Sequence, residues 1–340
     1  MPNALVTGCA GFIGYHVCNR LLREGYDVYG IDAMTDYYDP KLKRARINDL
    51  HQTTLSLANK FQVTFSPVED TSTTIGIAVD AQPDVIIHLA AQAGVRHSLE
   101  HPEDYVEANL RGTFSVLQAV RVARPKHLMM ASTSSVYGAN KQSPLRETAN
   151  TDMPMSFYAA TKKANEVMAH SYAHIYSIPT TMMRFFTVYG PWGRPDMALF
   201  KFVSMIKRGE PIDVYNYGQM RRDFTYIDDV VEAVFRTIRS VPVGPPLPSD
   251  TLSPVAPFRT LNMGLGRPVA LMGYIAAIEA ALGRSAEHNL LPMQSGDTEG
   301  SPASTDLQEQ LLGHVPHTPL HVGIRNFIDW YEDYYKDMPK

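Results

Sequence analysis

A chain of 340 residues with 31 lysines and arginines against 35 acids carries a net charge of −4 and has the length of about two domains. That balance lacks the basic surplus of a nucleic-acid footprint, so no nucleic-acid partner is expected, and no apolar run is long enough for a membrane span. Two cysteines, Cys9 and Cys18, are too few for a disulfide framework and fit a reducing, cytoplasmic setting, and a fold motif already under way at residue 8 leaves no stretch that reads as a signal peptide.

In chain order, Ala4 to Thr7 reads as a strand and Phe12 to Arg23 as a helix, with Ile13, Val17, Leu21 and Leu22 on one face and Gly25 as its stop. Asp27–Asp32, Gln62–Phe65, Asp84–Leu89 and His127–Met130 are further strands, each separated from the next by a helical pattern. Strands that are apolar on both faces and alternate with helices predict a parallel sheet covered on both sides, hence a doubly wound α/β (Rossmann) fold. The alternation fades after about residue 185. Pro242, Pro245, Pro246, Pro248, Pro254 and Pro257 make 240–257 a loop or domain crossing. A helix over 269–282, a glycine-rich segment near Gly296 and an aromatic helix ending at Tyr335 follow. The expected division is a nucleotide-binding domain over 1–182 with a returning segment at 223–240. A smaller mixed α/β substrate domain would take 183–222 and 241–340.

Gly8-Cys9-Ala10-Gly11-Phe12-Ile13-Gly14 leaves the first strand and opens the first helix. Glycines there let the backbone approach a pyrophosphate, whose charge rests on unpaired N–H groups at the helix start. Asp32 ends the second strand, where a carboxylate bonds ribose hydroxyls and repels a 2′-phosphate, which favours NAD over NADP. Tyr158 and Lys162, four apart in a helical stretch, share a helix face. A cation ~6 Å from a phenol, at an effective dielectric of ~20, is worth ~3 kcal/mol, about two pKa units, so Lys162 together with the positive nicotinamide ring would bring the tyrosine into range as a base. Tyr37 and Lys41 have the same spacing, but Asp39-Pro40 between them reads as a helix start and would separate the two. His314, His317 and His321 are interrupted by Pro316 and Pro319, so no metal site is expected.

The glycine run, His88-Leu89-Ala90-Ala91, Asn109, Ser132-Thr133-Ser134-Ser135-Val136-Tyr137-Gly138 and Tyr158/Lys162 resemble the extended short-chain dehydrogenase/reductase family, whose members modify nucleotide sugars. Gln92-Ala93-Gly94-Val95-Arg96, Tyr158 to Glu166, Arg184 to Ala198 and Arg221 to Asp229 narrow that resemblance to the UDP-glucuronate 4-epimerases, along residues 4 to about 335. The resemblance implies Tyr158 as base, Lys162 on the nicotinamide ribose, and Thr133 with Ser134 beside the reacting oxygen. It places NAD on Gly8, Gly11, Phe12, Ile13, Gly14, Asp32, Asp70, Leu89, Ala90, Ala91, Asn109 and Phe185. For a UDP-uronic acid it implies Arg96, Ser134, Ser135, Thr187 and Arg194, with Arg222 on the phosphates and Asp297 on the uridine ribose. Pro67 departs from the pattern where relatives carry an acid, which leaves Asp70 as the acid nearest the adenine. The family also implies a homodimer, through helices that carry Val106, Leu110, Val116, Leu117 and Val120, then Val167, Met168, Tyr172 and Ile175.

Three outcomes compete once C4 is oxidised. A 4,6-dehydratase needs an acid–base pair beside the threonine, and a decarboxylase typically has a glutamate there; Thr133-Ser134-Ser135 offers only hydroxyls. The expected reaction is therefore C4 epimerisation, an isomerase activity. UDP-glucuronate decarboxylation and a catalytically silent NAD-binding protein are the alternatives.

Overall fold

The computed structural model describes residues 1–297 and 300–336. Its first half lays down β1 (Asn3–Thr7), α1 (Phe12–Arg23), β2 (Asp27–Asp32), α2 (Pro40–Leu55), β3 (Phe61–Phe65), α3 (Thr71–Ala81) and β4 (Val85–His88). A helical run follows: α4 (His97–Glu100), α5 (Pro102–Tyr105), a π-helical stretch Val106–Arg111 and α6 (Gly112–Ala123). Then come β5 (His127–Thr133), α7 (Phe157–Tyr176) and β6 (Thr180–Phe185). Local chemistry sets the helix starts. Asp39 accepts the Lys41 N–H ahead of Pro40, Asp70 accepts that of Thr73, and Ser156 accepts that of Ala159. No described helix is long and apolar enough to cross a membrane.

The second half supplies β7 (Thr187–Tyr189), α8 (Ala198–Arg208), β8 (Ile212–Val214), β9 (Arg221–Tyr226), α9 (Ile227–Thr237), β10 (Phe258–Met263) and β11 (Pro268–Ala270). It ends with α10 (Leu271–Leu282), β12 (His288–Leu290), α11 (Asp306–Leu312) and α12 (Leu320–Tyr335). Seven strands form one parallel sheet in the order β10-β6-β5-β4-β1-β2-β3, the doubly wound arrangement, with its switch point between β1 and β4. Smaller sheets, β11-β9-β7 and β12-β8, lie outside it.

One expectation is corrected. The central sheet does not end at residue 182: β6 runs to Phe185, and the seventh strand comes from 258–263, inside the stretch assigned to the smaller domain. Phe258-Arg259-Thr260-Leu261-Asn262-Met263 lacks an apolar run, yet all six are buried because partners satisfy their polar groups. Arg259 pairs with Asp250 at 2.8 Å, the Thr260 N–H donates to Thr251, and Asn262 donates to the Leu145 carbonyl and accepts from Tyr137. From 223–240, α9 packs on α1, whereas β9 pairs with β7 and β11. The helices expected to pair between copies carry apolar residues on more than one face. Val116, Leu117 and Val120 are buried in the protomer's own core; Val106, Phe114, Val122, Val167 and Ile175 are the exposed ones.

A buried ion pair fixes α7 to the sheet. Arg184 on β6 donates from Nε to Glu166 Oε1 at 2.8 Å and from NH2 to Oε2 at 2.9 Å, with both side chains 4% exposed. Removing one partner strands the other charge. We expect Arg184→Met to lower stability by about 3–5 kcal/mol in a denaturant titration, and Arg184→Met/Glu166→Gln to lower it less. Equal losses from the two variants would show that the stranded charge is not the cause.

Candidate active site

The Gly8–Gly14 turn is shaped by close approach. Gly8 has φ +73°, and a Cβ there would stand 2.7 Å from the Ala90 nitrogen; one on Gly14 would stand 2.0 Å from the Gly8 carbonyl oxygen. The turn presses backbone against backbone, and only glycine fits. Gly11, at the N-terminal cap of α1, supplies no side-chain cap, and the first turn holds no acid. The opening N–H groups of α1 are thus left for an anion. Gly8, Gly11, Phe12, Ile13 and Gly14 line a cavity of about 440 Å³ with Asp32, Leu89, Ala90, Ala91, Thr133, Tyr158, Lys162 and Phe185. Asp32 accepts the Ala10 N–H at 3.0 Å and the Met34 N–H at 2.8 Å, so it shapes the loop while facing the cavity. A dinucleotide such as NAD fits this set: an uncapped helix start for its phosphates and a carboxylate for its ribose.

Tyr158 and Lys162 lie one turn apart on α7, and Thr133 closes β5 opposite them. Lys162 Nζ donates to the Ala131 carbonyl at 3.1 Å. Burial pulls its pKa down to about 8, against the attraction of Glu166. Burial also raises the Tyr158 phenol above its usual range, while a hydrogen bond with Thr133 and the charge of Arg194 pull the other way. The cation acting on the resting phenol is Arg194, and desolvation outweighs it. The Thr133 hydroxyl accepts the Ser135 N–H at 3.2 Å and donates to Ser135 Oγ at 3.2 Å. Tyr37 and Lys41 make no such pair, because Tyr37 precedes the Asp39 cap and lies outside α2.

Arg194 reaches the cavity but is engaged, donating from Nε and NH2 to the two oxygens of Asp196 at 3.0 and 2.5 Å. Asp196 is held below the usual carboxylate range; burial opposes this, and the adjacent guanidinium prevails. The Tyr37 hydroxyl donates to the same carboxylate at 3.4 Å, and its ring faces Arg194. Arg96, Arg222 and Asp297, expected around a UDP group, gather in space: Asp297 lies 3.7 Å from Arg96 and 3.9 Å from Arg222, and Arg96 stacks on Tyr215. Val95, which lines the cavity, is next to Gly296, so this cluster adjoins the cavity mouth.

Other expected residues sit elsewhere. Asp70 is occupied as the cap of α3, bonding Ser72 and Thr73, and the cavity wall there is formed by Ser66, Val68 and Glu69. Asn109 is buried behind the site, where it pairs both ways with the Gln92 backbone and donates to Thr161. Ser134 and Ser135 lie in the single 3-10 turn after Thr133, outside the cavity lining. Thr187 lines a small adjoining cavity of about 20 Å³. Sequence reasoning missed Asp196, Tyr37 and Glu166. Their signals were present: Arg194-x-Asp196 in one loop, and Glu166 continuing the spacing of four from Tyr158 and Lys162.

Comparison with known proteins agrees with this geometry. The chain is 52% identical to a probable UDP-glucuronate 4-epimerase of Rhizobium meliloti (strain 1021), over 98% of this chain and 97% of that one. It is 40% identical to UDP-glucuronate 4-epimerase 4 of Arabidopsis thaliana, over 99% of this chain and 76% of that one. The crystal structure of UDP-glucuronic acid 4-epimerase from Bacillus cereus, in complex with UDP-glucuronic acid and NAD, superposes with a TM-score of 0.86 at 30% identity, covering 98% of this chain and 100% of that one. Residues 4–246 match the model of the NAD dependent epimerase/dehydratase family. With the glycine turn, the acid that ends β2 and the tyrosine–lysine pair all meeting in one cavity, the chain belongs to that family.

Proposed function

We propose that this protein interconverts UDP-glucuronate and UDP-galacturonate by inverting C4. The observation that carries this is the single cavity holding an uncapped anion-binding helix start, Asp32, and the Thr133/Tyr158/Lys162 set. NAD, when bound there, supplies the acceptor and donor for the C4 hydride. Tyr158 Oη takes the O4 proton as C4 is oxidised and gives it back after the 4-keto sugar turns over. Thr133 holds O4, and Lys162 keeps a positive charge beside the ribose. Arg222 and Asp297 hold the UDP end. Ser134, Ser135, Thr187 and the Arg194–Asp196 pair bound the carboxylated end of the sugar. Arg194 meets that end already paired with Asp196, not as a lone cation.

Incubation of UDP-glucuronate with the purified protein should give UDP-galacturonate in its NMR spectrum. Release of CO₂ with a UDP-pentose would instead identify a decarboxylase, and no turnover a silent NAD-binding protein. Tyr158→Phe should cut the rate by ~10²–10⁴ with UDP-sugar binding largely kept. Near-native activity in that variant would remove Tyr158 from the chemistry.

The pH dependence follows from Lys162. Its pKa is lowered to about 8, so the cation is present below that pH and lost as pH rises through it. Activity should therefore fall on the alkaline side near pH 8, and Lys162→Arg, charged throughout, should abolish that limb while working at a lower rate. An unchanged limb in Lys162→Arg would assign the titration to another group.

We also infer that two copies pair through the exposed Val106, Phe114, Val122, Val167 and Ile175 on the π-helical stretch, α6 and α7. Light scattering should give twice the chain mass of 37.9 kDa; a value at 37.9 kDa at micromolar concentration would overturn this. Cys9 and Cys18, both free and buried, are consistent with a cytoplasmic setting.

A further inference from the structure

Arg46 lies on α2 and is fully buried, in line with the buried Leu42 and Leu50 at spacings of four. A cation so placed normally faces a carboxylate. Here its hydrogen-bond partners are neutral oxygens from three separate segments. NH1 donates to the Ala10 carbonyl at 2.7 Å and to the Tyr38 hydroxyl at 2.7 Å. NH2 donates to the Trp192 carbonyl at 2.6 Å and to that of Gly193 at 3.4 Å. The Ala10 peptide belongs to the glycine turn, and its N–H is held by Asp32. The loop holding Trp192 and Gly193 continues directly into Arg194 and Asp196.

His16, on α1, holds the same loop by a third carbonyl, that of Pro191, at 3.0 Å from Nε2. Burial pulls the pKa of His16 down to about 4, so the ring is neutral and Nε2 is the donor. Three consecutive carbonyls, Pro191 to Gly193, are thus captured from the cofactor side of the molecule. The loop needs such restraint: Trp192 has φ +59°, a left-handed conformation that a tryptophan rarely adopts, and Gly190 has φ +146°. The Trp192 ring is packed between Tyr15 on α1 and the pair Trp330 and Tyr334 on α12.

We propose that Arg46 is a positioning residue for the epimerisation, one whose guanidinium ties the glycine turn to the 190–196 loop so that cofactor seat and substrate seat keep a fixed relation. It touches neither substrate nor cofactor; it acts through Ala10 on one side and through the Arg194–Asp196 pair on the other. A lysine keeps the charge but offers one nitrogen where Arg46 uses two, one for Ala10 and one for Trp192. The inference rests on the proposed function for its kinetic reading, but not for its spectroscopic one.

The test is a double-mutant cycle with Arg194, together with tryptophan fluorescence. Wild-type turnover of UDP-glucuronate is measured first, since its absence would overturn the proposed function and leave the fluorescence to judge Arg46. We expect Arg46→Lys to raise KM for UDP-glucuronate about tenfold while kcat stays within about threefold, because the loss falls on the seating of the substrate. In the Arg194→Ala background the same change should move KM less than about twofold, since residues acting through one loop are not additive. Equal fold-changes in both backgrounds would mean a merely structural role and would overturn the proposal. The chain holds two tryptophans, Trp192 and Trp330, both in this cluster. Acrylamide quenching of their emission in the holoenzyme should therefore increase in Arg46→Lys, and unchanged quenching would overturn the tie without reference to activity. If Arg46→Lys does not fold, His16→Leu, which removes the Pro191 bond alone, enters the same cycle with a smaller shift expected in the same direction. Additive behaviour there is equally decisive against the proposal.

Discussion

Glu166 receives the whole guanidinium edge of Arg184 and, on the same oxygen that takes Arg184 Nε, the hydroxyl of Ser132 at 2.6 Å. Three elements meet in that carboxylate: α7, which carries Tyr158 and Lys162; β6; and the end of β5, one residue before Thr133. Spacing of four places Tyr158, Lys162 and Glu166 along one side of α7, so the residue that anchors the helix shares a face with those that face the cavity. A buried ion pair contributes little net stability once desolvation is counted, but its geometry is demanding. Here that demand fixes α7, and with it Tyr158 and Lys162, against the end of β5 and against β6.

Burial acts on both titrating groups of the site in opposite directions. It raises the Tyr158 phenol and lowers the Lys162 ammonium, because in each case the charged form loses its water. A nearby cation worth ~3 kcal/mol does not by itself offset that loss in the resting chain. The opposing influences are the Thr133 hydrogen bond and the Arg194 charge, and each belongs to a different segment. The electrostatics of Tyr158 are therefore a property of the assembled site rather than of the four-residue motif.

The two sides of the cavity are built on different principles. The nucleotide side uses backbone: a turn where Gly8, Gly11 and Gly14 pack against neighbouring main chain, held through Ala10 by Asp32 on its N–H and Arg46 on its carbonyl. The other side uses paired side chains, Arg194 with Asp196 and Asp297 between Arg96 and Arg222, on loops and β9 from the second half of the chain and on the loop after β4. The C-terminal helix closes the arrangement through Trp330 and Tyr334 against Trp192. Aromatic packing of this kind sets loop position over a wide contact area without adding charge to the site.

The sequence by itself determined whatever depends on neighbours along the chain. The limits of α1, Phe12 to Arg23, follow from its apolar face, and those of β2 from its strand run. Asp39 with Pro40 marks the start of α2 and separates Tyr37 from Lys41. The glycine turn, Asp32 and the Tyr158/Lys162 face were legible for the same reason, since each is a local geometry with its own residue signature. Only the tertiary structure decided where partners come from distant segments. Polar β10 enters the central sheet because Asp250, Thr251, Glu147 and Tyr137 satisfy it. Asp70 is consumed by a helix cap, Asn109 by the Gln92 backbone, and Arg194 by Asp196. A polar side chain is free for a ligand only after the fold has finished spending its hydrogen bonds, and that accounting is closed in three dimensions, not along the chain.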